Sequence, residues 1–87
     1  MKQLTELNKK FGLDLRQRTR RRDVSWARFA AYKYLKDNGE RIHDIGKVFF
    51  MDHSSVIYGI KAFNNALSVN DTIALEKWQR IQYSDEN

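Results

Sequence analysis

The chain has no cysteine and no proline, and only four of its 87 residues are glycine. Without cysteine there is no disulfide framework and no thiolate metal site, as expected in a reducing cytoplasm. Without proline, and with so little glycine, the backbone is expected to run in helices joined by short connections. The longest apolar run is far short of a membrane span, and no signal-peptide pattern precedes residue 20. Strand-type alternation and internal repeats are also missing. These absences point to one small all-helical domain with a core of moderate size, over residues 1–83, and a frayed tail at 84–87.

Positive charge is abundant. Sixteen Lys and Arg against eleven Asp and Glu leave a formal charge of +5 and a pI of about 9.7. That balance favours a polyanionic partner and says nothing about fold. Arg16, Arg18, Arg20, Arg21 and Arg22 make up five of the seven residues at 16–22. Such a cluster repels itself and is expected to stay partly extended until an anion neutralises it. Arginine suits a narrow minor groove better than lysine, because its planar cation is weakly hydrated. The plainer alternative is a solvated run of charge.

Apolar spacing divides the chain into about five helices. Leu4, Leu7 and Phe11 share a face, and Gly12 fits a left-handed stop. Residues 13–18 form one short turn or two. Asp23 is placed to cap a helix burying Val24, Ala27, Ala31 and Leu35, which Asn38 and Gly39 end. Ile42, Ile45 and Phe49 mark a short helix, Phe50 and Met51 a tight connection, and residues 52 to about 67 a longer helix. Val56, Ile57, Ile60 and Phe63 carry its apolar pattern. Asp71 or Thr72 caps a last helix in which Ala74, Trp78 and Ile81 share a face.

The most informative segment is Asp52, His53, Ser54 and Ser55. A helix cap needs one such residue, and here four hydrogen-bonding side chains stand in a row. A short helix, a connection of two or three residues and a second helix with a polar start match the helix-turn-helix of DNA-binding proteins. Gly46 supports this, since glycine inside a helix costs roughly 1 kcal/mol relative to alanine and is tolerated where backbones approach closely. An ordinary helical hairpin with a satisfied cap is the alternative. The arginine cluster favours DNA, because a basic arm beside a major-groove helix is a known docking arrangement.

Residues 20–63 resemble the C-terminal DNA-binding domain of the bacterial replication initiator DnaA. The resemblance rests on a basic run before Val24 and Arg28, on Ile45-Gly46 followed by Phe49, and above all on Asp52-His53-Ser54-Ser55-Val56, where the family reads Asp-His-Thr-Thr-Val. Residues 7–15 also look like the family's first helix and linker. The resemblance implies base reading by Asp52, His53, Ser54 and Ser55, and a minor-groove arm with Arg20 as the matching arginine and Arg18, Arg21 and Arg22 beside it. It places Arg28 and Lys36 on phosphate, with Lys47 and Lys61 as additions. Asp52 is suited to accept from a cytosine amino group and His53 to donate to a base acceptor. The Ser54 and Ser55 hydroxyls sit at the positive end of the helix dipole. The lysines and arginines would supply salt-dependent affinity.

Two departures from the family pattern stand out. Phe50-Met51 replaces a Gly-Gly-Arg turn and is one residue shorter, and serines replace both threonines, removing methyl groups that could pack on thymine. No phosphate-cradling loop is present, so a stand-alone module without a nucleotide-binding domain is expected. His43-Asp44 and Asp52-His53 are a poor ligand set without cysteine or an activated nucleophile, so neither catalysis, metal nor cofactor is expected. Trp26, Tyr32, Tyr34 and Trp78 fit core or rim better than base stacking, and Asp71, Glu76, Asp85 and Glu86 fit a solvated face.

The resulting expectation is a cytoplasmic, monomeric binder of double-stranded DNA in a bacterium or phage-infected bacterium. Its target would be a short A·T-rich box, and its use replication control or transcriptional regulation. A protein-interaction module that binds or inhibits the host initiator is the alternative. RNA binding through exposed aromatic residues is a third reading.

Overall fold

Five helices organise the computed structural model, which describes residues 2–19 and 21–82. They are α1 (Lys2–Phe11), α2 (Arg22–Asp37), α3 (Ile42–Phe49), α4 (His53–Ser68) and α5 (Thr72–Gln82). The all-helical expectation holds, and among the described residues there is no strand. The expected tail at 84–87 lies outside the described residues. No described helix is long and apolar enough to cross a membrane.

The stops fall where backbone chemistry requires them. After α1, Gly12 adopts φ +65°, and after α2, Gly39 adopts φ +96°. The Glu40 N–H then reaches the Leu35 carbonyl at 3.0 Å, satisfying a terminal acceptor of α2. Asp71, rather than Thr72, caps α5, its Oδ1 accepting from the Ile73 and Ala74 N–H groups. The start of α2 differs from expectation. Arg21 occupies the cap position without capping the helix through its side chain, and Asp23 lies inside the first turn, paired with Arg21 and accepting from the Val24 N–H.

Helix α2 is the central element and touches α3, α4 and α5. Val24, Ala27, Ala30, Ala31, Tyr32 and Leu35 are all buried on it. Its alanines allow close neighbours, and Gly59 of α4 supplies the matching gap. A Cβ at Gly59 would lie 2.7 Å from the Phe29 ring and 2.8 Å from the Tyr32 ring. On α4 the buried seam is Val56, Gly59, Phe63 and Ala66, with Ile60 half-buried. Ile57, expected on that seam, is exposed instead. Phe49, Tyr32, Phe63 and Trp78 fill the interior with edge-on and tilted ring contacts.

The α3–α4 connection positions the polar start of α4. Phe50 takes the left-handed conformation, φ 57°, and the Met51 N–H donates to the Gly46 carbonyl at 2.9 Å. The chain thus folds back beneath α3. A Cβ at Gly46 would stand 2.5 Å from the Met51 carbonyl oxygen. The close backbone approach expected at Gly46 is thus made by the turn at Met51 and by Asp52, the cap of α4.

Candidate nucleic-acid interface

At the start of α4, Asp52 is the cap, and its Oδ1 accepts from the Ser55 N–H at 3.1 Å. Part of its acceptor capacity is therefore already used in holding the helix. Asp52, His53 and Ser54 are exposed and Ser55 is half-buried. Exposure continues along one side of α4 through Ile57, Tyr58, Lys61 and Asn64. This outer stripe mixes apolar and polar side chains, with Lys61 as the cation among these four. The three side chains after the cap are brought together on one turn, as the sequence implied.

His43, in the first turn of α3, stacks on His53 with ring centroids 4.6 Å apart and planes tilted by 32°. His43 is an exposed first-turn residue, and nothing in the sequence pairs it with His53. Ten positions separate the two histidines, and only the helix-turn-helix geometry joins them. The contact restricts the orientation of the His53 ring.

Of the described arginines at 16–22, two reach back to the end of α3, and residues 17–19 and 21 are without helix or turn. Arg16 donates from Nε to the Val48 carbonyl at 2.7 Å, and its guanidinium lies 4.0 Å from the centre of the Phe50 ring. Arg18 donates to the Phe50 carbonyl at 3.1 Å. The C-terminus of α3 leaves unpaired carbonyls with partial negative charge, and the two arginines satisfy them. For Arg16 and Arg18, backbone carbonyls supply hydrogen-bond acceptors within the molecule. Arg21 pairs with Asp23, and Arg22 pairs with Asp71 while lying 5.4 Å from the Trp26 ring. Arg22 belongs to α2 and faces the start of α5. Arg20, the arginine matched to a minor-groove contact, lies outside the described residues.

Arg28 also departs from the expected surface phosphate contact. The residue is only 7% exposed, and its Nη1 donates to the Leu15 and Gln17 carbonyls at 3.1 and 3.0 Å. It clamps the segment before α2 from beneath. Its Nε is buried with no hydrogen-bond partner. Burial pushes the Tyr32 hydroxyl above the ordinary tyrosine range, and the nearby Arg28 charge opposes that shift. Lys36, Lys47 and Lys61 are exposed and form no ion pair among the described residues. These three lysines are the expected phosphate contacts that remain available to a partner.

The acidic face is more engaged than its sequence suggested. Glu76 bridges Lys77 and Arg80, and Asp71 serves both as cap and as partner of Arg22. The Ala74 N–H bond, with help from Arg22 and the Ile73 N–H, holds the Asp71 carboxyl below the usual range against an opposing effect of burial. The bond from Arg21 does the same for Asp23, again against burial. Asp85 and Glu86 lie outside the described residues. Among the described residues no group of three or more His, Cys, Asp or Glu side chains could hold a metal ion.

Comparison with protein-family models, with curated proteins and with solved structures finds no match to this chain.

Proposed function

We propose that the chain binds double-stranded DNA sequence-specifically, with the first turn of α4 as the base-reading edge. The observation that carries this reading is the run of Asp52, His53 and Ser54. These are three consecutive exposed polar side chains at a helix N-terminus, and their one internal hydrogen bond is the Asp52 cap. A helix start of this kind offers donors and acceptors to base edges, and its dipole favours nearby phosphate. Lys47, Lys61 and Lys36 supply phosphate contacts. Arg16 and Arg18 fix the turn against α3, and Arg18, Arg21 and Arg22 can exchange their internal partners for phosphate. The resemblance to the DnaA C-terminal domain makes a short A·T-rich box the first duplex to try, in replication control or transcriptional regulation.

A mobility-shift titration with an initiator-box duplex, a scrambled duplex and a hairpin RNA, at two salt concentrations, tests this directly. Tighter binding to the box is expected at both salts. Equal affinity for box and scrambled duplex would leave only nonspecific electrostatic binding. His53→Ala should reduce discrimination by roughly 1–3 kcal/mol, whereas Lys61→Ala should lower the salt slope by about one with discrimination intact.

The protein-interaction alternative has an observation of its own. Phe50, Ile57 and Tyr58 are large, apolar and exposed at the turn or on the outer side of α4. Binding to the host initiator that is lost in Tyr58→Ser, without measurable affinity for any duplex, would favour that reading.

A further inference from the structure

A shallow pocket of about 350 Å³ opens between α2 and the start of α4, lined by Arg28, Phe29, Tyr32, Met51, Ser54, Ser55 and Tyr58. Phe29, Tyr32, Met51 and Tyr58 make its walls largely apolar. Two sources of positive potential meet there. One is the N-terminus of the 16-residue helix α4, offset in part by the Asp52 carboxylate that caps it. The other is Arg28, 7% exposed, which has no carboxylate partner among the described residues and whose buried Nε has no hydrogen-bond partner. The Leu15 and Gln17 carbonyls satisfy Nη1 but do not neutralise the guanidinium. A buried charge without a counter-ion is unfavourable, and an anion that displaces water from this pocket would compensate it.

We propose that this pocket binds a small amphipathic anion, a carboxylate on a planar apolar body. The carboxylate would lie toward Arg28 and the Ser54 and Ser55 groups, and the apolar body against Tyr58 and Phe29. Inorganic phosphate suits the charge but not the walls, and a neutral aromatic amide suits the walls but not the charge. Ser54 and Ser55 belong also to the proposed base-reading edge. Occupancy would therefore weaken duplex binding, a consequence that rests on the DNA reading above.

The test uses the full chain, with amide chemical shifts followed during titration with benzoate, benzamide and inorganic phosphate. Saturable shifts at Ser54, Ser55 and Tyr58 are expected with benzoate. Benzamide should bind about tenfold more weakly, as befits loss of a charge-assisted bond. Arg28→Met should abolish the selectivity for benzoate. Because Arg28 also clamps the segment before α2 and its loss could unfold the chain, Tyr58→Ala, at an exposed wall, provides the second variant and should weaken benzoate severalfold. Absence of shifts at these residues, or equal binding of benzamide or phosphate, overturns the proposal. A chain that takes benzoate selectively yet binds no duplex retains the pocket and overturns the DNA reading alone. If the duplex does bind, benzoate should raise its apparent Kd in the wild type and have less effect in Tyr58→Ala; equal effects in both would count against the pocket.

Discussion

Helices α4 and α5 both start from an aspartate, yet the two starts are used in opposite ways. Asp71 accepts from two backbone N–H groups and pairs with Arg22. Within three residues α5 reaches buried Ala74. Asp52 accepts from a single N–H, and exposed His53 and Ser54 follow it. The local signal is the same at both sites. Surroundings make one start an internal joint between α2 and α5 and leave the other facing outward. A polar helix start suggests a binding edge only when the remainder of the molecule leaves its groups unused.

The largest effect is expected where the outward start is held in place. Gly46→Ala would drive a Cβ to 2.5 Å from the Met51 carbonyl oxygen. The expected loss is about 2 kcal/mol, even after the roughly 1 kcal/mol that alanine gains in helix propensity. Chemical denaturation measures it, and a neutral result would show that the turn can shift without consequence.

Removing the caps probes the comparison itself. Asp71→Ala should lower the melting midpoint by roughly several degrees, because it breaks two cap bonds and an ion pair. Asp52→Ala removes one bond, with an expected cost of about 1 kcal/mol, and should reduce duplex discrimination as well. Equal melting losses in the two variants would mean that the starts are not structurally different.

Acid should distinguish the Asp71 start further. Its carboxyl is held below the ordinary value by the Ala74 N–H bond and, after the opposing effect of burial, by Arg22. A depressed folded-state value stabilises the protein above the unfolded value, near pH 4, and that contribution disappears as pH falls through the folded value. Asp71→Asn keeps a capping oxygen and removes the charge. The stability gap between wild type and variant should be constant above about pH 5 and close in more acidic solution. A gap that does not narrow in thermal melts taken down to low pH would exclude this origin.

The smallest effect is expected at Phe50. Glycine there would relieve a left-handed strain of about 1 kcal/mol. It would also remove a ring contact with Arg16 worth about 0.5–1 kcal/mol at an exposed site. The two nearly cancel, so Phe50→Gly should melt close to wild type. A large drop would show that the Arg16 contact holds the turn more firmly than an exposed cation–π pair can.

Helix positions were legible because they follow from local chemistry. The limits of α3 fell at Ile42 and Phe49 as expected, and Gly12 and Gly39 took the positive φ that ends α1 and α2. Residues whose roles depend on distant parts of the chain were misjudged. Ile57 fits an apolar pattern but faces outward, because Val56, Gly59 and Phe63 already occupy the seam against α2. Arg28 looks like a surface cation but is buried, because the carbonyls of Leu15 and Gln17 lie above it. Gly59 carried no sequence signal beyond being a helical glycine, since the need for it comes from the Phe29 and Tyr32 rings.

The all-helical chain, its stops and the polar helix start at residues 52–55 follow from residue order, because periodicity, caps and glycine conformations are properties of neighbouring residues. Which charges remain available was set by packing between distant segments. Packing folded Arg16 and Arg18 onto the end of α3, buried Arg28 beside a pocket, paired Arg22 with Asp71 and stacked His43 on His53. Those outcomes depend on distances between groups far apart in the chain, which residue order does not contain.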